Sequence, residues 1–187
     1  MVPMADRPDG AKQARILDAA LLKFSAYGFA RTSMADIAEA AEMSRPALYQ
    51  HYANKEEIFR SMLGRVFDDA ADKAISALRV EADLPAQIDG FLQRWSGDLA
   101  EALMSTAHGS DLVEAKAGYA KPVVDAANRR IRKALTAHLG EVVDDPSPLV
   151  DLLLLGPIGF KYDDPSMAKL RRRLSTLADS VAGSAQS

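Results

Sequence analysis

Between Thr32 and Phe59 the chain reads TSMADIAEAAEMSRPALYQHYANKEEIF, and its polar residues fall where helix starts need them. Ser33, with Asp36 three residues later, has the spacing of a capping box, in which each side chain satisfies a backbone amide of the other. Met34, Ile37, Ala38 and Ala41 follow at three- and four-residue steps, so a short helix has one apolar side. Ser44 can cap a second helix, and Pro46 is tolerated in its first turn, where an amide proton is not needed. Asn54, with Glu57 three residues later, caps a third. Two short helices joined this tightly form a helix-turn-helix, whose second helix can enter the major groove of DNA.

The rest of the chain is periodic in the same sense. Gly10 to Tyr27 reads as a helix ended by Gly28, and the run from Asn54 to about Val80 carries Ile58, Met62, Val66, Ala70, Ala74 and Leu78 on one stripe. From Pro85, the residues Ile88, Leu92, Trp95, Leu99 and Leu103 mark a further helix, followed by a His108-Gly109-Ser110 break and a short piece near 111–118. Pro122 opens a helix with Val123, Ala127, Ile131, Leu135 and Leu139 in line, and Asp144-Asp145-Pro146 ends that segment. The last two helices are expected over Ser147 to Phe160, kinked at Gly156-Pro157, and over Pro165 to Ala182. No segment alternates as a strand does. The expected fold is all-α: a three-helix helix-turn-helix domain over 10–54, a linking long helix, and a second helical domain over 55–182. The arm 1–9 and the tail 183–187 are expected to be disordered.

Charge does not by itself argue for nucleic acid. The net charge is −3, and residues 1–60 balance eight basic side chains against eight carboxylates. DNA binding has to rest on where the charges sit. The absence of cysteine removes disulfides, thiolate metal sites and cysteine nucleophiles. The polar start lacks the apolar core of a signal peptide, and the longest apolar run, 152–160, is too short to span a bilayer. A cytoplasmic protein is expected. Three scattered histidines, no glycine-rich phosphate loop and no Ser/His/Asp grouping leave nothing from which to build an enzyme site. His108 and Asp111 are too few to hold a metal, so no cofactor or metal is expected.

At 100° per residue, Leu48 and Tyr52 share one side of the second short helix and should turn inward, toward Ile37 and Phe24. Pro46, Ala47, Tyr49 and Gln50 fall on the opposite arc. Arg45 can meet a guanine edge or a phosphate, Gln50 suits adenine, and Ala47 and Pro46 suit a thymine methyl. Ser44 can both cap its helix and meet a phosphate. Thr32, Tyr49, His51 and Lys55 are candidates for phosphate contacts, which position a protein without reading sequence. For Lys55 a phosphate would offset the unfavourable placement of a cation at a helix start.

The motifs T-S-M-x-D-I-A, M-S-R-P-A-L-Y-Q-H-Y and N-K-E-E-I-F, preceded by F-S-A-Y-G-F at 24–29, resemble the tetracycline-repressor (TetR) family of transcriptional regulators over about residues 12–60. The segment G-F-K-Y-D-D-P-S at 159–166 is a weaker match. The resemblance implies three DNA-binding helices and a linking fourth, and it assigns effector binding and dimerisation, the latter through the last two helices, to the helical domain over 55–182. It places Thr32, Ser33, Ser44, Arg45, Ala47, Tyr49, Gln50, His51 and Lys55 at positions that usually touch DNA. Glu42 departs from the pattern, standing where the family usually has glycine in the inter-helix turn. A left-handed backbone there costs a non-glycine residue about 1 kcal/mol.

The resulting expectation is a homodimeric DNA-binding regulator, a repressor released from a palindromic double-stranded operator by a small-molecule effector that is more apolar than polar. Met62, Phe91, Trp95, Met104, His108 and Tyr119 are the candidate pocket residues. Leu149, Leu152, Leu153 and Ile158, with Leu170, Leu174 and Leu177, are candidates for the dimer seam; the alternative is that these leucines pack within one subunit. A second function remains open from sequence: a helical interaction protein with a vestigial helix-turn-helix, which the balanced charge and Glu42 would suit.

Overall fold

A computed structural model describes residues 8–104, 119, 121–160 and 165–185. The described residues are helical throughout their ordered elements, with no strand among them. In chain order the helices are α1 (Pro8–Arg31), α2 (Met34–Ala40), α3 (Arg45–Tyr49), α4 (Lys55–Ala77) and α5 (Leu84–Leu92). A π-helical turn, Gln93–Gly97, joins α5 to α6 (Asp98–Met104), and α7 (Lys121–Leu139), α8 (Ser147–Gly159) and α9 (Met167–Ala185) follow. No described helix is long and apolar enough to cross a membrane. The chain divides into two compact units, Met1–Val66 with Leu103–Val124, and Phe67–Ala102 with Asp125–Ser187.

In the N-terminal unit the apolar stripes of α1, α2, α3 and the first half of α4 meet in one core. Ile16, Ala20, Phe24, Ile37, Leu48, Ile58 and Phe59 are fully buried. The Phe24 and Phe59 rings meet edge to face at 5.3 Å between centroids, and Phe29 lies 5.5 Å from one and 4.8 Å from the other. Offset and edge-on ring pairs of this kind add to the burial of area. Phe29 reaches that position because the chain bends at Gly28, whose φ of 79° and ψ of 163° interrupt α1. The helix end expected at Gly28 is therefore a kink, with one more turn carried to Arg31.

The second unit is organised around α9, which packs chiefly against α5 and the π turn. Ile88, Phe91, Leu92, Ile131, Leu135, Val150, Leu153, Leu170, Leu174 and Val181 form its core. Asp83 caps α5 by accepting from the Ala86 amide at 3.1 Å. Gln93, in the π turn, places its amide nitrogen 3.0 Å from both Asp89 Oδ1 and the Arg171 carbonyl. Arg171 in turn donates to Gln93 Oε1, Asp98 and Glu101. Hydrogen bonds to these carboxylates raise the guanidinium's pKa above its ordinary value.

Element limits differ from the periodicity in several further places. Helix α4 stops at Ala77 rather than near Val80, because the amides of Leu78, Arg79 and Val80 turn back onto carbonyls three residues earlier. Residues 183–185, expected to be disordered, continue α9, with Val181, Ala182 and Ala185 buried. Pro8 and Asp9 likewise belong to α1, where proline suits a first turn. The rest of the expected arm, the piece near 111–118 and residues 186–187 lie outside the described residues.

The Gly28 backbone lies in a region that only glycine occupies without strain. Gly28→Ala should lower the unfolding free energy by about 1–3 kcal/mol, read as a lower urea midpoint at unchanged slope.

Candidate nucleic-acid interface

Residues 32–57 owe their positions to a succession of satisfied helix ends. Ser33 is extended (φ −107°, ψ 164°), and its hydroxyl accepts from the Asp36 amide at 3.3 Å while Asp36 Oδ2 accepts from the Ser33 amide at 2.8 Å. The Ser33 hydroxyl also donates to that carboxylate at 2.6 Å. These bonds, the side-chain one first, hold the Asp36 carboxyl below the ordinary carboxylate range. Asp36 therefore supports α2 above the normal carboxylate pKa, and that support is lost as pH falls through the lowered value. Ser44 accepts from the Ala47 amide at 3.3 Å with Pro46 in the first turn of α3. Asn54 accepts from the Glu57 amide at 2.8 Å, and Glu57 reaches back to the Ala53 amide at 2.9 Å, one residue short of the cap itself.

Between α2 and α3 the backbone reverses hand at Glu42, whose φ is 53°. This is the left-handed conformation expected at that position, and it lets the Met43 amide donate to the Ala38 carbonyl at 3.0 Å, closing the end of α2. Helix α3 is thus set against the core by Leu48, fully buried, and Tyr52, 7% exposed. Burial raises the Tyr52 phenol pKa, against a hydrogen bond with Ser61. On the other side Arg45, Pro46, Gln50 and Tyr49 are exposed, Tyr49 by 54%, and Ala47 and His51 are half-buried. Ser33 and Ser44 are exposed as well. These eight candidates share one continuous stretch of surface-bearing chain.

Two of the ten candidates are placed differently. Thr32 is 2% exposed, and its hydroxyl donates to the Gly28 carbonyl at 2.8 Å, with the Lys23 carbonyl at 3.3 Å. Lys55 turns back to the end of α1, donating to the carbonyls of Phe29 at 2.9 Å, Thr32 at 3.1 Å and Ala30 at 3.2 Å. Its ammonium also lies 4.6 Å from the Phe29 ring centroid. A phosphate is thus not needed to account for a cation at the start of α4: the unpaired carbonyls of α1 supply the partner.

The candidate pocket residues are spread over both units. Met62 and Tyr119 belong to the N-terminal unit, Phe91 and Trp95 to the other. Met62, Phe91 and Trp95 are buried side chains of their cores, while Tyr119 is 40% exposed and lies 5.4 Å from Phe29. His108 and the side chain of Met104 lie outside the described residues. No group of three His, Asp or Glu among the described residues gathers to hold a metal.

The candidate dimer residues separate into two sets. Leu153, Leu170, Leu174 and Leu177 are at most 7% exposed, packed within their own chain, so they offer no surface to a partner. Leu149 is half-buried. Leu152 (47%) and Ile158 (56%) are exposed, and so is Leu155 (60%), which the sequence reading passed over. Their three-residue spacing was the available signal. Leu155 and Ile158 also line a groove of about 300 Å³ with Leu154, Asp125, Asn128, Arg129 and Arg132.

Residues 16–62 match the sequence model described as "Bacterial regulatory proteins, tetR family". The HTH-type transcriptional repressor ComR of Escherichia coli K12 is 39% identical over 67 residues, 36% of this chain and 32% of that protein. The HTH-type transcriptional repressor SCO4008 of Streptomyces coelicolor is 34% identical over 91 residues, 49% of this chain and 44% of that protein. The chain thus spans less than half the length of these relatives. Among solved structures, a transcriptional regulator of the TetR/AcrR family from Thermobifida fusca matches with a TM-score of 0.70 at 17% identity, over 90% of this chain and 96% of that one. SmeT, the repressor of the Stenotrophomonas maltophilia efflux pump SmeDEF, matches with a TM-score of 0.64 at 20% identity, over 92% and 89%. At these identities the structural matches speak for the fold.

Glu42→Gly should stabilise the protein by up to about 1 kcal/mol, because glycine carries no Cβ penalty at positive φ. Glu42→Ala, which keeps the Cβ, should not; paired urea melts decide it.

Proposed function

We propose that this chain, whose residues 16–62 match the tetR family of bacterial regulatory proteins, is a homodimeric transcriptional regulator, a repressor that a small-molecule effector releases from a palindromic operator. The observation that carries the reading is the division of α3: Leu48 and Tyr52 anchor it, while Arg45, Pro46, Tyr49 and Gln50 are left exposed with Ala47 between them. A surface helix with no reading task is normally clad in Glu and Lys; this one carries groups that suit base edges and phosphates. Arg45 takes a guanine or a phosphate, Gln50 an adenine, Pro46 and Ala47 a thymine methyl. Ser33, Ser44, Tyr49 and His51 take the backbone. Operator DNA as a target places this work in the cytoplasm.

Two half-sites one helical turn apart, about 34 Å, require two reading heads. Leu152, Leu155 and Ile158 on α8 are the face through which a second copy would supply the other. Repression follows the relatives ComR and SCO4008, named as repressors. FasR of Mycolicibacterium smegmatis, 32% identical over 88 residues, is named as an activator and marks the other possible sign. The shared fold includes a SmeT–triclosan complex, which supports an apolar effector for this chain too. An effector acts by preferring an arrangement of the two heads that no longer fits the groove.

Selection of bound duplexes from a random pool should return a palindrome. Arg45→Ala and Tyr49→Ala should each weaken binding to it by about ten-fold or more, as loss of one good base or phosphate contact does. Failure to bind any duplex at low salt would leave the vestigial, protein-binding alternative in its place. Leu155→Asp with Ile158→Asp should convert the dimer to monomer in sedimentation, and with it reduce operator affinity.

A further inference from the structure

We infer that Lys55 serves DNA reading as a positioning residue, tying the end of α1 and the start of α2 to the start of α4 rather than touching DNA. This rests on the DNA-binding reading above.

Consider how the end of α1 is satisfied. The last carbonyls of a helix lack intrahelical donors and carry the negative end of its dipole. Here the Gly28 carbonyl is taken by the Thr32 hydroxyl at 2.8 Å, and those of Phe29 and Ala30 by the Lys55 ammonium at 2.9 and 3.2 Å. The third N–H of Lys55 goes to the Thr32 carbonyl at 3.1 Å, one residue before the Ser33 cap of α2. An ammonium has three donors, and all three have acceptors at hydrogen-bond distance. The face of the Phe29 ring at 4.6 Å adds a cation–π contact. A phosphate could be met only by giving up part of this set.

The consequence concerns α3, which spans five residues and buries only Leu48 of its own, so its orientation depends also on the segments that flank it. It hangs between the end of α2 and the start of α4. One side chain at the first residue of α4 fixes both the exit of α1 and the entry to α2, so the segment carrying α3 is closed at both ends. Thr32, buried and directed into the same junction, is the second member of the clasp.

The test uses the full chain, its selected duplex, and the variants Lys55→Met and Thr32→Val. Affinity is measured over a salt series, and amide exchange of residues 28–37 is followed without DNA. Lys55→Met should weaken binding about ten-fold, as loss of a charged hydrogen-bond set does, at an unchanged slope of log affinity against log salt. Exchange over 28–37 should quicken while 170–182 stays as in the parent. Thr32→Val, which removes no charge, should move both readouts in the same direction. If Lys55→Met lowers the salt slope by about one, Lys55 neutralises a phosphate and the inference falls. If exchange quickens but affinity at a temperature well below melting is unchanged, the clasp is structural only, and the inference also falls. If the parent protein binds no duplex at any salt, it is the DNA reading that has failed, and this inference with it.

Discussion

A helix of five residues cannot be held by its own hydrogen bonds, since nucleation consumes most of what so few residues can return. Helix α3 is held from outside instead. The Ser44 hydroxyl organises its first turn, Leu48 and Tyr52 seat it on the core, and the Met43–Ala38 backbone bond fixes the turn before it. That bond requires the left-handed backbone at Glu42. The exposed face of α3 is therefore set by interactions on the hidden side, and a fault in any of them would redirect the reading groups without altering one of them.

The same logic runs backward through the unit. Ser33 and Asp36 start α2, Asn54 and Glu57 start α4, and Thr32 with Lys55 finish α1. The core of Phe24, Phe29 and Phe59 contributes cohesion, but rings pack in more than one way. Backbone caps give the arrangement its direction. In the second unit Gln93 and Arg171 have the corresponding role, joining the π turn to α9 through side chains that span 78 residues of sequence.

What was legible from sequence was local. Capping pairs at three-residue spacing, the inward placing of Leu48 and Tyr52 and the left-handed turn at Glu42 all depend on neighbours within one or two turns. The carbonyl partners of Lys55 could not be read because they are 23 to 26 residues away, and a wheel drawn for α4 shows only that it lies at the start. The partner of Thr32 was hidden for a different reason: its acceptor is only four residues back, but a threonine before a helix reads as a surface residue until the kink at Gly28 is known. On α8 and α9, leucines recur so densely that periodicity could not separate Leu153, which is buried, from Leu155, which is exposed. The π turn was invisible because the apolar spacing through Trp95 and Leu99 is consistent with an ordinary α-helix.

That π turn amounts to one additional residue inserted into a helical ladder. Side chains after it are rotated by about 100° relative to where an unbroken α-helix would carry them. Upstream the buried residues are Ile88, Phe91 and Leu92; through the turn they are Trp95, Ser96 and Gly97, and Ala100 beyond it. At Gly97 a Cβ would stand 2.8 Å from Arg171 Nη1, so the guanidinium lies where a side chain would otherwise be. A single rod thereby presents two lining surfaces in different directions, and its two halves are free to diverge in composition under separate packing demands.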